Sequence, residues 1–509
     1  MGGSRDRYLD LVRGTSILAV VVGHWLVADL SWQHGALHEL SALGQVPAMW
    51  PLTWLFQVIP LFFLVAGSVN GRSWRATRLR GEGFATFVDR RLHRVIVPTG
   101  VFLAVALPLA VVADATGGWG VRAGGAMLLQ PLWFLAVYLV VVALTPLTLG
   151  WHERWGWAAP VAMAGAAVVA DIGRIHFGMA WAGYLNVLTV WLLVYQIGYF
   201  EAERRITRLT ATGFLVGGLA VTSLLVWLGP YPARMVGVPG DQLSNMHPPT
   251  LAVTGLALAQ VGLMVLVRPW LTPMLERDRV WRSVVWLNLS IMTLYLWHQL
   301  AMVTAARLVL PLGWPARVPG SWSWWAAHVG LVALAGLVLG LLVVVFGRFE
   351  RVASPAPTPV GAVTAVGAVV SVVLAALGLL ALAGTRATEP WAAVEVLGGL
   401  VAGPLVGVAA VGSAAWVAAA NRSGRAAAGL LGAAGLLGLV SVGYALGVGP
   451  LGRSAGAAMV TGSLAGLTLV TAAWAATVTT GAPARPAGVP PPDAPSTRAG
   501  GRRPAPWPA

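Results

Sequence analysis

The sequence predicts an all-α polytopic membrane protein of about fourteen transmembrane helices, and three observations carry that prediction. Of the 509 residues, 57% are hydrophobic and only 10% are charged, with a mean hydropathy of +0.76. Apolar runs of about 17–28 residues recur along the chain, the length needed to span a hydrocarbon core. All 33 basic residues are arginine, and they sit mostly between the runs rather than within them.

The runs lie near residues 9–30, 52–70, 95–113, 131–149, 157–173, 183–200, 211–229 and 250–267. Six more follow near 284–306, 324–347, 361–384, 391–420, 426–449 and 456–480. The weakest is 157–173, which is short and closes on Asp171 and Arg174; it sets the orientation of everything after it. With the N-terminus inside, the inner segments hold 25 arginines and the outer loops 7, while Arg13 lies in the first run. That bias follows the positive-inside rule and predicts a multi-pass plasma-membrane protein with both termini cytoplasmic. A net charge of +15 on a soluble face would suggest nucleic acid, but here the arginines are interleaved with the spans, so no nucleic-acid partner is expected. The absence of cysteine excludes disulfides, thiolate nucleophiles and Cys-based metal centres. Asp10 and Arg13 interrupt what would otherwise resemble a signal sequence, so no cleavage is expected.

Composition divides the chain in three. Residues 1–355 hold all nine histidines and most of the polar residues. Residues 356–480 are rich in Ala, Gly, Val and Leu, and between 361 and 480 the only acids are Glu389 and Glu395. This four-helix extension has no candidate base and is expected to be dispensable for chemistry. Residues 481–509, rich in Pro, Ala and Arg, read as a disordered cytoplasmic tail.

The first run carries the chemistry. Arg13 and His24 are eleven residues apart, about 1100° of helical rotation, so they share a face. Their separation along the axis is roughly 16 Å. Asp10 lies three residues before Arg13, close to that face. His24 falls deep in the span, and an ionisable group there is a functional candidate. The rival reading is a histidine that only bonds a neighbouring helix. His298 lies in an apolar run beside Tyr295 and Trp297, where a hydrogen-bonded core histidine is an equal rival; His328 is weaker. WQHGALHE holds His34, His38 and Glu39, a ligand spacing only if helical and without a third firm ligand, so no metal is expected. Segment 71–94 holds seven arginines, most explained by topology. Arg90, Arg91 and Arg94 directly precede a span, where phosphates could be gripped.

In this setting Arg13 and His24, an Arg-x10-His pair, resemble the hallmark of the membrane-bound acyltransferase 3 family. VIPLFFLVAGSVN (58–70), FVDRRLHRVIVP (87–98) and PLWFLAVYL (131–139) are similar to further family elements in the same order. NMHPPTLAVTGLALAQ (245–260) and TLYLWHQ (293–299) continue the series, the former resembling actinobacterial members. The resemblance covers about residues 5–350, or ten helices. YQIGY departs from it, since relatives often carry His where Tyr195 stands. The resemblance implies transfer of an acyl group, usually acetyl, from cytoplasmic acyl-CoA to a hydroxyl of a glycan, glycolipid or similar extracytoplasmic or membrane-associated acceptor. Acyl-CoA is then a donor substrate, and no bound cofactor is implied. His24 would act as base or transient acyl carrier. Arg13 would bind the donor or pair with Asp10 to hold the start of the helix. Asn70, Trp133 and His298 would line the site beside Arg90, Arg91 and Arg94. A transporter or lipid flippase is the alternative, but should show charges in several helices, broken helices and repeat symmetry. A non-catalytic scaffold would not need Arg13 and His24 on one face.

Overall fold

The structure is a computed structural model that describes residues 6–34, 36–115, 124–238, 241–313, 318–351 and, with interruptions, 355–433. It is 81% helical. From the N-terminus, α1 (Arg7–Val27) leads into a hairpin of β1 (Ala28–Gln33) and β2 (Ala36–Ser41), then short α2 (Ala42–Gln45) and α3 (Trp50–Phe56). Next come α4 (Ile59–Leu79), α5 (Phe84–Ala115), short α6 (Gly124–Leu129), α7 (Leu132–Ala143) and α8 (Thr145–Trp155). The chain continues through α9 (Ala158–Ile175), α10 (Ala180–Ala202), α11 (Arg208–Leu228) and α12 (Leu251–Leu271). It closes with α13 (Asp278–Leu289), α14 (Ile291–Val309), α15 (Trp322–Phe346), α16 (Ala362–Ala383), the hairpin β3 (Val394–Val396) and β4 (Leu400–Ala402), and α17 (Pro404–Arg422).

Among the described residues, nine segments are long and apolar enough to cross a membrane, or eleven if two bent helix pairs each count as one span. All eleven coincide with expected runs. The expected total of fourteen is not reached within the described residues: the runs 426–449 and 456–480 lie almost wholly outside them, and 391–420 is not among the eleven, its helix α17 beginning only at Pro404.

Four expected runs depart locally from continuous helix. The first run was expected to reach residue 30, but α1 ends at Val27 and β1 pairs antiparallel with β2, Ala28 opposite Ser41. Asp29 anchors this turn, accepting from Gln45 Nε2 at 2.5 Å and Trp324 Nε1 at 3.3 Å. The run 131–149 bends by 54° between α7 and α8, where Pro146 in the first turn of α8 cannot continue the preceding helix. The run 284–306 bends by 70° between α13 and α14. There the Glu350 carboxylate accepts from the amides of Met292 and Thr293, which the break leaves without helical partners. The run 391–420 begins as the β3–β4 hairpin rather than as helix.

Small residues set the tightest contact in the bundle. A Cβ on Gly67 would lie 2.0 Å from the Tyr195 carbonyl oxygen, and one on Gly198 would lie 2.2 Å from that of Leu64. Glycine at both positions lets α4 and α10 meet backbone to backbone, the usual device where no hydrophobic force drives helices together in lipid. Around this pair, α1 packs against α4, α13 and α14. The N-terminal end of α1 is tied down separately. Asp6 caps it by accepting from Tyr8 and Leu9 amides, and Arg268 Nη2 donates to both Asp6 oxygens at 2.8 and 2.7 Å.

Candidate active site

His24 stands in the last turn of α1 and His298 in the middle of α14. The α1–α14 packing brings His24 Nδ1 to 3.0 Å from His298 Nε2, with the two rings nearly parallel. Trp25 locks this junction. Its Nε1–H donates to the His298 carbonyl at 2.9 Å, and its own carbonyl accepts from His328 Nε2 at 3.0 Å.

The hydrogen bonds define the tautomers. His298 Nδ1–H donates to the Tyr295 carbonyl at 2.6 Å, so its Nε2 carries a lone pair. His24 must then donate from Nδ1, which leaves its Nε2 as the basic nitrogen. Here one imidazole fixes the orientation of another, the part a carboxylate plays beside many catalytic histidines. His298 is completely buried, whereas His24 is exposed to a cavity of about 550 Å³.

The cavity is bounded by the end of α1, the β1–β2 hairpin, α3, the segment before α12 and the end of α16. Glu39, Gln57, Trp133, His247 and Gln299 supply polar groups to its lining. Gln57 is held by its bond to the Met235 carbonyl at 2.8 Å, and Trp133 meets His247 edge to face at 6.0 Å. The buried Oε1 of Gln299 has no protein partner among the described residues. Desolvation raises the Glu39 carboxyl to about 7 and keeps His247 below its ordinary value.

The other sequence candidates fall into separate groups. Arg13 Nε donates to Asn288 Oδ1 at 2.7 Å, and its Nη2 is 3.5 Å from Asp10 Oδ1. Asn288 also donates to the Asp10 carbonyl, so the three residues join the start of α1 to α13. Arg91 Nε donates to Asn70 Oδ1 at 2.9 Å, and its guanidinium lies 3.7 Å from the centre of the Phe87 ring. Arg90 instead forms a bidentate pair with Glu82 at 2.7 and 2.9 Å. With Arg80 alongside, it holds the Glu82 carboxyl down at about 2. Arg94 is exposed. His24, His298 and Trp133 are thus gathered near one chamber, Asn70 and Arg91 meet elsewhere, and Arg90 is diverted. Sequence reasoning missed Asn288 and Glu82, and took in Gln299 only as the end of TLYLWHQ. Glu39 and His247 drew notice only within motifs given other readings. Asn288 could not be read from spacing, because its partner Arg13 lies 275 residues away.

With this geometry in view, residues 6–347 match the family model of acyltransferase 3, described as an acyltransferase domain. The chain belongs to the acyltransferase 3 family. The match covers well over half of the sequence and runs from the cap of α1 to the end of α15; α16 and α17 lie beyond it. No curated protein and no solved structure gave a match. As an acyltransferase 3 member with many apolar spans, the protein is a multi-pass membrane acyltransferase, with an acyl donor and an acceptor as its substrates.

Proposed function

We propose that this protein transfers an acetyl group from acetyl-CoA to a hydroxyl of a glycan, glycolipid or similar acceptor in the plasma membrane or outside it. One observation supports the reading above others: His24 lines a largely apolar cavity that also holds Glu39, Gln57 and Gln299, while its Nδ1 is committed to His298. Its Nε2 takes the proton of the acceptor hydroxyl as that oxygen attacks the thioester carbonyl. The tetrahedral intermediate collapses, expelling the coenzyme A thiolate, and the proton on His24 passes to it. His298 steadies the transient imidazolium by accepting from its Nδ1–H throughout. The same geometry serves a His24 acyl carrier, with Nε2 as the attacking atom.

The arginine distribution supports cytoplasmic termini, so the donor arrives from the side of the α4–α5 connection. Arg91 and Arg94 are its first contacts, with Asn70 orienting Arg91. Arg13, bonded to Asn288 and Asp10, holds the wall along which the thioester reaches His24. The cavity at the other end of α1 receives the acceptor, where Trp133 offers a flat apolar face suited to a sugar ring.

The test is labelled acetyl-CoA given to purified protein. The wild type should consume it, and His24→Ala should lower turnover by about 100-fold or more, the usual worth of a general base. A transporter would leave the thioester intact, and unimpaired turnover by the variant would overturn the assignment of His24.

A further inference from the structure

We propose that α16, a helix outside the acyltransferase 3 domain, forms part of the wall of the acceptor chamber and limits the size of the acceptor admitted. The proposal rests on the chamber reading above, and its test separates the two.

Ala383 and Gly384, the last helical residue of α16 and its cap, line the same cavity as His24. Ala383 is half-buried and Gly384 exposed, as residues on an open chamber should be. The rest of the helix is built into the bundle. Ala368, Val372, Ala375, Leu379 and Leu382 recur at helical spacing and are all buried, while Val366, Val369 and Val373 on the opposite face are exposed. The buried stripe packs against α5 and α7. This is a helix with one protein face and one exposed face, not an appendage resting on the surface.

Two polar ties hold it there. Just before α16, the Thr358 amide donates to Thr86 Oγ1 of α5 at 3.0 Å. From α17, which packs along α16, Arg422 Nη1 lies 2.6 Å from Asp89 Oδ1 of α5, both side chains largely buried. A buried carboxylate needs such a partner, so the pair strongly favours the seated arrangement of α16 and α17. The two residues α16 places on the chamber are the smallest available, which leaves space that a larger side chain would fill. Composition pointed to a segment without chemistry. The structure gives it a steric part in the site instead.

Because the chain has no cysteine, Ala383→Cys creates a single thiol in the full-length protein. The detergent-solubilised variant is treated with methyl or benzyl methanethiosulfonate and assayed with labelled acetyl-CoA, using a membrane lipid and glycan extract as acceptor. The methyl adduct should leave acceptor-dependent transfer within about twofold, and the benzyl adduct should lower it by about tenfold or more with KM for acetyl-CoA unchanged. An unreactive thiol, or full transfer by the benzyl adduct, overturns the proposal. If the wild type consumes no acetyl-CoA, the enzymatic reading falls and the wall is judged by reactivity alone. In that case Ala383→Cys should label quickly and Ala375→Cys, fully buried on the same helix, slowly; equal rates would overturn it.

Discussion

His24 and His298 show how one imidazole can orient another in a membrane interior without a carboxylate. Lipid surroundings penalise a buried charge, so a neutral imidazole serves as the orienting partner at lower cost than Asp or Glu. The orientation depends on His298 Nε2 being an acceptor, which its bond to the Tyr295 carbonyl secures. His298→Ala should therefore lower kcat by about 10- to 1000-fold with little change in KM, and His298→Gln, which retains an acceptor oxygen, should recover part of the loss. Steady-state kinetics on both variants checks this; equal damage would mean that acceptor capacity is not what matters.

Glu39 supplies a second test on the chamber wall. Its carboxyl is raised to about 7 by desolvation, from an ordinary value of 4.5. Between those values the folded protein holds a proton that the unfolded chain has released. The contribution of this group to stability thus falls as pH rises through that window. The chamber also gains a negative charge as pH passes about 7. Glu39→Gln should remove a titration near neutrality from the pH profile of acceptor kcat/KM and flatten the loss of stability over the same window. A profile unchanged by the substitution would assign that titration to another group.

At the scale of helices, the site depends on how closely elements approach. Gly67 and Gly198 allow the α4–α10 contact, and α4 in turn packs against α1. A methyl group at position 67 would collide with the Tyr195 carbonyl, a backbone atom that cannot rotate away. Gly67→Ala should cost about 1–3 kcal/mol, the usual penalty for overpacking, and lower the thermal midpoint of the solubilised protein. An unshifted midpoint would mean that the two helices are free to separate. The α13–α14 bend matters in a different way. It places Asn288 against Arg13 and Asp10 on one side of the break, and frees the amides that Glu350 satisfies on the other.

Across the whole molecule, the candidate groups separate along the axis of α1. Arg13 and Asp10 lie near its start, while His24 and the cavity it lines lie at its end. Such a layout suits a donor and an acceptor arriving from opposite faces of a membrane. Arg90, Arg91 and Arg94 are not equivalent in it. Arg90 already has a bidentate carboxylate partner, whereas Arg94 is exposed. Replacing all three with Ala should raise KM for acetyl-CoA and leave acceptor KM nearly unchanged. Arg90→Ala alone should contribute least to that rise. Inside-out vesicles, which present the cytoplasmic face to added acetyl-CoA, measure both constants; a selective acceptor defect would mean that these arginines serve topology alone.

The membrane class, the spacing of most spans and the alignment of Arg13 with His24 were legible in the sequence, because each follows from local periodicity and the length of an apolar run. His24 stood out in the sequence as a candidate too, since an ionisable group deep in an apolar helix is costly to place there. Its partner was not. His298 lies 274 residues away, and its own motif was equally consistent with simple packing. Only the contact between α1 and α14 makes the pair. The same holds for Asn288 on Arg13 and for α16, whose composition suggested no part in the site. Periodicity describes what a segment does along its own axis. Which faces meet, and hence which polar groups neutralise or orient one another, depends on packing between distant segments, and tertiary structure alone decided it.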